Sequence, residues 1–271
     1  MLRSRPSGRA RGWAAVAAGL AAVLFSARAA QAAAPFVYRS LTLPRGTVAL
    51  DLGLGYGHRS REDVNGSYSG FGMNLEVAGG LTHDLELGLR TGVRFDDGGQ
   101  ATQADRFGRT FDTETYGIGG DRMANPELRL RWLVARGSVA QLGLEGRAYL
   151  PFESGTYFGV MVGLPLTLRL SSVRFDTGLY VPIIFEPQTE TTVSIPLHVW
   201  IQATSRFWLG PLTGLRIVNP GGRTEYPFGF GLGTMLSNAI DLRGWFLFPR
   251  INGSEAARTF GAGVALQIRF E

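Results

Sequence analysis

Three absences limit what this sequence can encode. The 271 residues include no cysteine, which excludes a disulfide framework, a thiolate zinc site and a cysteine nucleophile. They include no lysine, so all 27 basic residues are arginine. Hydrophobic residues make up 45% of the chain, yet no apolar run approaches the roughly 20 residues of a membrane-spanning helix. The apolar residues must therefore follow a finer pattern.

The positive net charge comes from the N-terminal end. Five of the 27 arginines lie in the first 32 residues, which contain no acidic residue, and the remaining 22 face 22 aspartates and glutamates. A nucleic-acid-binding protein needs a clustered basic face, and the rest of the chain has none. We therefore expect no nucleic-acid partner. The length suits one large all-β domain.

The first 32 residues have the layout of a secretory signal peptide. A positive stretch over residues 3–11 precedes an apolar run over residues 13–25, and Ala30-Gln31-Ala32 offers a small-residue cleavage site. The run is too short to span a bilayer. We predict a signal peptide over residues 1–32, a short periplasmic leader over residues 33–46 and a barrel over residues 47–271.

From residue 47 onward, apolar residues alternate with small or polar ones. Val48, Leu50 and Leu52 share one face of the first segment, while Asp51 and Gly53 share the other. Period-two alternation predicts a strand with one apolar face. Eleven further segments repeat it, at residues 71–77, 85–95, 128–134, 142–150, 160–168, 175–185, 193–201, 207–217, 228–232, 242–248 and 260–270.

The connections between these segments alternate in length. Long polar connections fall at residues 59–69, 96–122, 153–157, 186–191, 219–226 and 250–258, and short turns at residues 82–84, 136–138, 171–172, 204–206 and 237–239. This asymmetry is typical of transmembrane barrels. A soluble all-β protein also alternates, but we favour an all-β, transmembrane, antiparallel up-and-down β-barrel of about 12 strands, with both termini on the short-turn, periplasmic side.

The chain resembles the outer-membrane β-barrel proteins of Gram-negative bacteria. Alternating Val264, Leu266, Ile268 and Phe270 are similar to the C-terminal signal that the assembly machinery of such barrels binds, although Glu271 follows the aromatic residue. The motifs at residues 43–46 and 80–88 look like porin- and transporter-like barrels, including those associated with phenol degradation. The resemblance implies a location in the bacterial outer membrane, with outer-membrane lipid and the assembly machinery as partners.

The face opposite the apolar one is rich in charge and is expected to line the lumen. By parity it carries Arg90, Arg94, Arg129, Arg131, Arg147, Arg169, Arg174, Arg216, Arg243 and Arg269, with Asp51, Glu76, Glu86, Glu127, Glu145, Asp176 and Asp241. The same parity places Trp200, Trp208, Trp245, Tyr149 and Tyr180 inside, unless a bulge shifts the register. Two interpretations remain open: an ion-pair lattice that fills the barrel, or a polar lumen for solutes.

Several of these charges are spaced to form pairs along one strand face. The predicted pairs are Glu127/Arg129, Glu145/Arg147, Arg174/Asp176 and Asp241/Arg243. Arg90, Arg94, Arg169 and Arg216 have no such neighbour, although Glu86 can reach Arg90. Ten arginines against seven acids predict a lumen that mildly favours anions.

The leading function is therefore a passive pore or transporter for small solutes. The alternatives are a non-conducting barrel with a structural or partner-binding role, and an outer-membrane hydrolase. A hydrolase needs a serine and a histidine together, but Ser194 and His198 lie about 13 Å apart at strand rise. The three histidines His58, His83 and His198 lack metal-ligand spacing. We expect no enzyme activity, no metal and no cofactor.

Overall fold

The computed structural model describes residues 34–61, 66–95, 123, 125–152, 156–185, 190–219, 221–253 and 258–271. The predicted signal peptide and the long connection 96–122 lie outside these residues. No helix in the described ranges is both long and apolar enough to span a membrane. Ahead of the first strand, the leader begins with a single 3₁₀ turn at Phe36–Tyr38.

Thirteen strands follow the leader in the described ranges. They are β1 (Val48–Arg61), β2 (Gly66–Gly80), β3 (Leu85–Arg94), β4 (Glu127–Arg136), β5 (Ala140–Tyr149), β6 (Gly159–Leu170), β7 (Val173–Ile184), β8 (Glu190–Gln202), β9 (Phe207–Asn219), β10 (Arg223–Glu225), β11 (Phe228–Met235), β12 (Ile240–Phe248) and β13 (Thr259–Phe270). All twelve segments predicted from alternation are strands, including the two at Pro211 and Phe228.

The sheet closes into a twelve-stranded antiparallel barrel, as predicted. Consecutive strands are neighbours from β1 to β9, then β9 pairs with β11, and β13 returns to β1. Short β10 was not predicted, because it falls in the expected connection at residues 219–226. It pairs with the end of β9, where Glu225 lies opposite Arg216.

Two other details differ from the sequence prediction. The β1–β2 ladder extends to the pair Arg61 and Gly66, so the first long connection is residues 62–65 rather than 59–69. The β4–β5 ladder has a register shift between Leu133 and Ala135.

The two ends of the barrel differ in the length of their connections. On one side, consecutive strands meet at turns of two to four residues, and we call this side the short-turn end. The opposite side is the long-loop end.

The outer surface of the barrel is apolar. Outward leucines, valines and aromatic residues are widely exposed, whereas charged side chains such as Glu145 and Asp241 are buried inside. Aromatic rings gather near the long-loop end, where Tyr56 lies 5.1 Å from Phe71 and Phe158 stacks 5.9 Å from Phe185, between ring centroids. An apolar belt with such rings near one rim is the exterior that a bilayer requires.

Candidate functional site: the barrel interior

One wall of the interior is a ladder of alternating charges on β2–β5. We call it the charge ladder, and it comprises Glu76, Glu86, Arg90, Glu127, Arg129, Arg131, Glu145 and Arg147. Its centre is the fully buried carboxylate of Glu145, which lies 2.6 Å from a guanidinium nitrogen of Arg131 and 2.6 Å from one of Arg147. Four arginines balance four glutamates, so the ladder contributes little net charge.

Ion pairs also connect β2, β3 and β4 within the charge ladder. Arg129 lies 2.7 Å from the Glu86 carboxylate and 2.8 Å from that of Glu76. Arg90 also contacts Glu76, at 2.5 Å. Such multiply hydrogen-bonded ion pairs tolerate a low-dielectric site because each charge keeps its partners. The ladder therefore stiffens this wall.

The opposite wall, on β8–β12, is aromatic and apolar. It presents Trp200, Trp208 and Trp245, with Leu212 and Leu247 packed beside them. Glycines on β11 make room for the indoles: a Cβ added at Gly231 would lie 2.6 Å from the Trp200 ring, and one at Gly233 would lie 2.3 Å from the Trp208 ring. The interior thus has a charged side and an aromatic side.

The leader lies inside the barrel at the short-turn end. The Leu41 amide donates to Gln141 Oε1 at 3.0 Å, and the Leu43 amide donates to Glu86 Oε2 at 2.8 Å. The Leu41 carbonyl accepts from Arg131 at 3.0 Å. These partners come from β3, β4 and β5, so the segment packs along the base of the charge ladder.

Arg39 fixes the middle of the leader. Its guanidinium forms a two-pronged ion pair with the buried carboxylate of Asp241, which also accepts from Arg269 at 2.6 Å. Burial lowers the pKa of Arg39, and the hydrogen bond and negative charge of Asp241 oppose that shift. The Arg39 carbonyl accepts from Arg169 at 2.5 Å and from Arg174 at 2.9 Å. One leader residue therefore links three barrel strands.

Between the leader and the walls lies a cavity of about 580 Å³. Its lining includes the predicted lumen residues Arg90, Arg129, Arg131, Arg147, Arg174, Arg243, Glu86, Asp176, Trp200, Trp208 and Trp245. Glu127 and Glu145 are buried in the charge ladder behind it. Arg169 and Asp241 contact the leader. The side chain of Arg94 lies outside what the structure describes.

Two predicted pairs have their expected partner, and others are rearranged. Arg147 contacts Glu145, and Arg174 contacts Asp176 at 2.7 Å. The predicted Asp241/Arg243 pair is wrong, because Asp241 binds Arg39 and Arg269. Arg243 instead contacts Asp51 on β1. Asp51 lies two strands away from Arg243, on the far side of β13, and parity alone does not identify such a partner.

The expectation for the lone arginines also changes. Arg90 pairs with Glu76, and Arg216 lies 3.5 Å from Glu225 on the unpredicted strand β10. Arg169 has the Arg39 carbonyl and the Gln141 side-chain amide as hydrogen-bond acceptors, and no carboxylate partner in the described residues. Of the four arginines expected to lack a pair, Arg169 alone is seen without a carboxylate.

Sequence reasoning missed Phe36 and Arg39, which lie in a segment without alternation. It also missed Gln141 and Gln202, whose side chains accept from the Leu41 and Val37 amides. An inward glutamine near a short turn is a weak signal by itself. The sequence signal for the leader was Arg39, a charged residue ahead of the first strand that needs a partner if it is buried.

The described residues contain no group of three or more histidine, cysteine, aspartate or glutamate side chains that could hold a metal ion. His198 lies opposite Asp176 in the β7–β8 ladder, and Ser194 lies opposite Tyr180. The described part of the interior contains ion pairs, aromatic rings and the leader.

Comparison with known proteins supports the architecture. No family model and no curated protein matches the chain. Among solved structures, an outer-membrane channel from Pseudomonas putida F1 superposes with a TM-score of 0.61 at 11% identity, covering 87% of this chain and 99% of that one. The chain has the fold of the outer-membrane β-barrel proteins. The prediction of that fold is confirmed, and the outer-membrane location stays a prediction.

Two further solved structures share this β-barrel fold. The NanC porin superposes with a TM-score of 0.57 at 10% identity, covering 81% of this chain and 98% of that one. The KdgM porin superposes with a TM-score of 0.51 at 10% identity, covering 81% of this chain and 99% of that one. At such low identity, these likenesses concern the path of the backbone and not the side chains of the interior.

Proposed function

We propose that the barrel is a passive pore or transporter for small solutes, with a lumen that mildly favours anions. The support is the uneven distribution of charge along its axis. The charge ladder is balanced, whereas arginine exceeds carboxylate at both ends of the interior among the residues that the structure describes. Fixed charges along a low-dielectric passage raise the local concentration of the opposite ion.

In the described part of the long-loop end, the carboxylate of Glu225 faces three arginines. Glu225 lies 3.5 Å from Arg216, 2.8 Å from Arg223 and 4.0 Å from Arg250. Arg223 is mostly exposed, so its charge is available to solutes that approach from that side. We call these four residues the rim cluster, and its excess of positive charge would draw small anions toward the mouth.

At the short-turn end, Asp241 is shared by Arg39 and Arg269, while Arg169 has neutral acceptors. This end also carries excess positive charge. The aromatic wall gives the passage an apolar side, so the solutes that fit best are small and partly apolar anions. Outer-membrane lipid and the assembly machinery remain the other proposed partners.

The test is the reversal potential across a KCl gradient in a planar bilayer. We expect a modest preference for chloride, reduced when Arg169→Gln and Arg223→Gln are combined. Molar salt should weaken the preference, because the screening length shortens to about 3 Å. Arg136→Gln is the matched control, since Arg136 pairs with exposed Asp84 at a short turn. A native pore that prefers potassium would contradict the proposal.

A non-conducting barrel is the second candidate, and the leader favours it. Residues 36–43 occupy the short-turn end and bind side chains from several strands. If the native protein carries no current while a variant lacking residues 34–43 does, then the resting barrel is closed. Absence of current in both proteins would favour a structural or partner-binding role.

A further inference from the structure

The ring of Phe36 occupies a slot in the aromatic wall. It stacks on Trp208 with a centroid distance of 4.6 Å and an interplanar angle of 4°. It meets Trp200 edge-on, at 5.6 Å and 79°. The Arg174 guanidinium carbon lies 5.1 Å from the ring centroid. A parallel ring, a perpendicular ring and a cation are contacts that suit a flat aromatic group.

The same slot holds oxygen acceptors beside the ring. The carbonyl of Phe36 itself accepts from Arg174 Nη1 at 3.3 Å. The carbonyl of Arg39 accepts from Arg174 at 2.9 Å and from Arg169 at 2.5 Å. The leader thus presents an aromatic ring and two oxygen atoms to two tryptophans and two arginines.

These carbonyl oxygens bind the two arginines more weakly than a carboxylate would. A peptide carbonyl carries a partial charge, whereas a carboxylate forms shorter and roughly twice as strong hydrogen bonds with a guanidinium. Arg169 has no carboxylate partner in the part of the chain that the structure describes. An anion placed where the two carbonyls now lie would therefore improve the partners of Arg169 without removing Asp176 from Arg174.

The segment that fills the slot is held by side-chain contacts and not by the barrel ladder. Phe36–Tyr38 is a single 3₁₀ turn outside the barrel ladder. The Val37 amide is held by a side chain, that of Gln202, at 3.2 Å. Segments without ladder hydrogen bonds open locally at low free-energy cost. The Arg39–Asp241 ion pair can hold the rest of the leader while the turn moves.

We propose that this slot binds small aromatic carboxylates, which displace Phe36 and occupy its place. The ligand ring would stack on Trp208 against the edge of Trp200. Its carboxylate would accept hydrogen bonds from Arg169 and Arg174. The inference deepens the proposed function by naming a solute class, and it rests on that function in that the ligand reaches the slot through the barrel.

The test is isothermal titration of the folded barrel in maltoside micelles with phenylacetate. Acetate, which lacks the ring, and benzyl alcohol, which lacks the charge, are the comparison ligands. We expect one site per chain for phenylacetate, with both comparison ligands at least about tenfold weaker, because stacking and charge-assisted hydrogen bonds contribute together. Tryptophan emission should change with phenylacetate over the same concentration range.

Variants separate the two halves of the site. Phe36→Ala empties the slot and should tighten phenylacetate binding about tenfold, because the ligand no longer competes with the ring. Tyr38→Ala is the matched control, since Tyr38 lies in the same turn and is half exposed. Arg169→Gln should weaken phenylacetate about tenfold by removing the charge. Heat-dependent gel mobility verifies that each variant is folded.

Four outcomes would overturn the proposal. They are acetate or benzyl alcohol binding as tightly as phenylacetate, no binding to either the native protein or Phe36→Ala, an equal effect of Phe36→Ala and Tyr38→Ala, or an unchanged affinity in Arg169→Gln. Binding in micelles does not depend on conduction. A barrel that binds phenylacetate without carrying current would contradict the proposed pore and support the proposed site. A barrel that carries current without binding phenylacetate would support the pore and contradict the site.

Discussion

Glu145 is a buried carboxylate whose charge is compensated by two arginines at once. Removing it would leave Arg131 and Arg147 in a low-dielectric wall, with a shared partner lost. A broken buried ion pair is costly because the remaining charge has already lost its water. The role of this residue is therefore structural: its carboxylate joins β4 to β5 and compensates two arginine charges that have lost their water.

We expect Glu145→Gln to lower the free energy of unfolding by about 3–5 kcal/mol. Denaturant unfolding of the protein reconstituted in vesicles measures it. Asp84→Asn is the control, because Asp84 and Arg136 form an ion pair that is half exposed, and such pairs contribute about 1 kcal/mol or less. Equal losses in the two variants would mean that the charge ladder is hydrated rather than buried.

At this scale the sequence indicated which side chains face inward but not how they pair. Parity placed Glu145 and Arg147 on one face, and they are in contact. It could not place Arg129 between Glu86 and Glu76, because that requires the register of three strands. It could not anticipate that Arg39 would take Asp241, since the leader has no periodic pattern to position it.

The leader is the element that most changes the interior. It enters the barrel beside Gly80, whose carbonyl accepts from the Gly46 amide at 2.8 Å. A Cβ at Gly80 would lie 2.0 Å from the Pro44 carbonyl oxygen, whereas one at the neighbouring Gly79 would have no atom within 4 Å. The glycine at this one position lets the leader pass close to β2.

We expect Gly80→Ala to loosen the leader, because backbone oxygen at that distance cannot rotate away as a side chain can. Limited trypsin digestion measures this as faster cleavage after Arg39, which the native ion pair with Asp241 protects. Gly79→Ala should digest like the native protein. If both variants leave Arg39 protected, the leader enters along a different path.

The strands themselves were predictable, because twelve segments with period-two alternation and asymmetric connections leave few other folds. The elements that escaped prediction are short. β10 has three residues, too few to establish a period, and the 3₁₀ turn at Phe36–Tyr38 has three as well. Both owe their place to tertiary partners, Arg216 for β10 and the tryptophans for the turn.

The whole molecule presents an apolar belt to its surroundings and a charged lumen within. Leu89 lies near the middle of β3 and faces outward with half of its surface exposed. An arginine there would have to lie in lipid, away from the charge ladder. The cost of such a side chain depends on its depth in the bilayer.

We expect Leu89→Arg to destabilise the barrel in vesicles by about 2–4 kcal/mol, as is typical of arginine near the midplane of a bilayer. Leu81→Arg, at an exposed short turn, should cost about 0–1 kcal/mol. Reversible unfolding from vesicles gives both values. A smaller loss for Leu89→Arg than for Leu81→Arg would show that the belt is displaced along the barrel axis.

The pairing of β1 with β13 makes closure of the barrel depend on both ends of the chain. Twelve residue pairs, from Val48 with Phe270 to Arg59 with Thr259, join the first strand to the last. Until β13 is in place, β1 has an open edge, because β13 is the strand that covers it. The barrel therefore cannot close before its last strand is made. A polypeptide that ends before β13 would have two unpaired strand edges rather than a smaller closed barrel, and such edges favour aggregation.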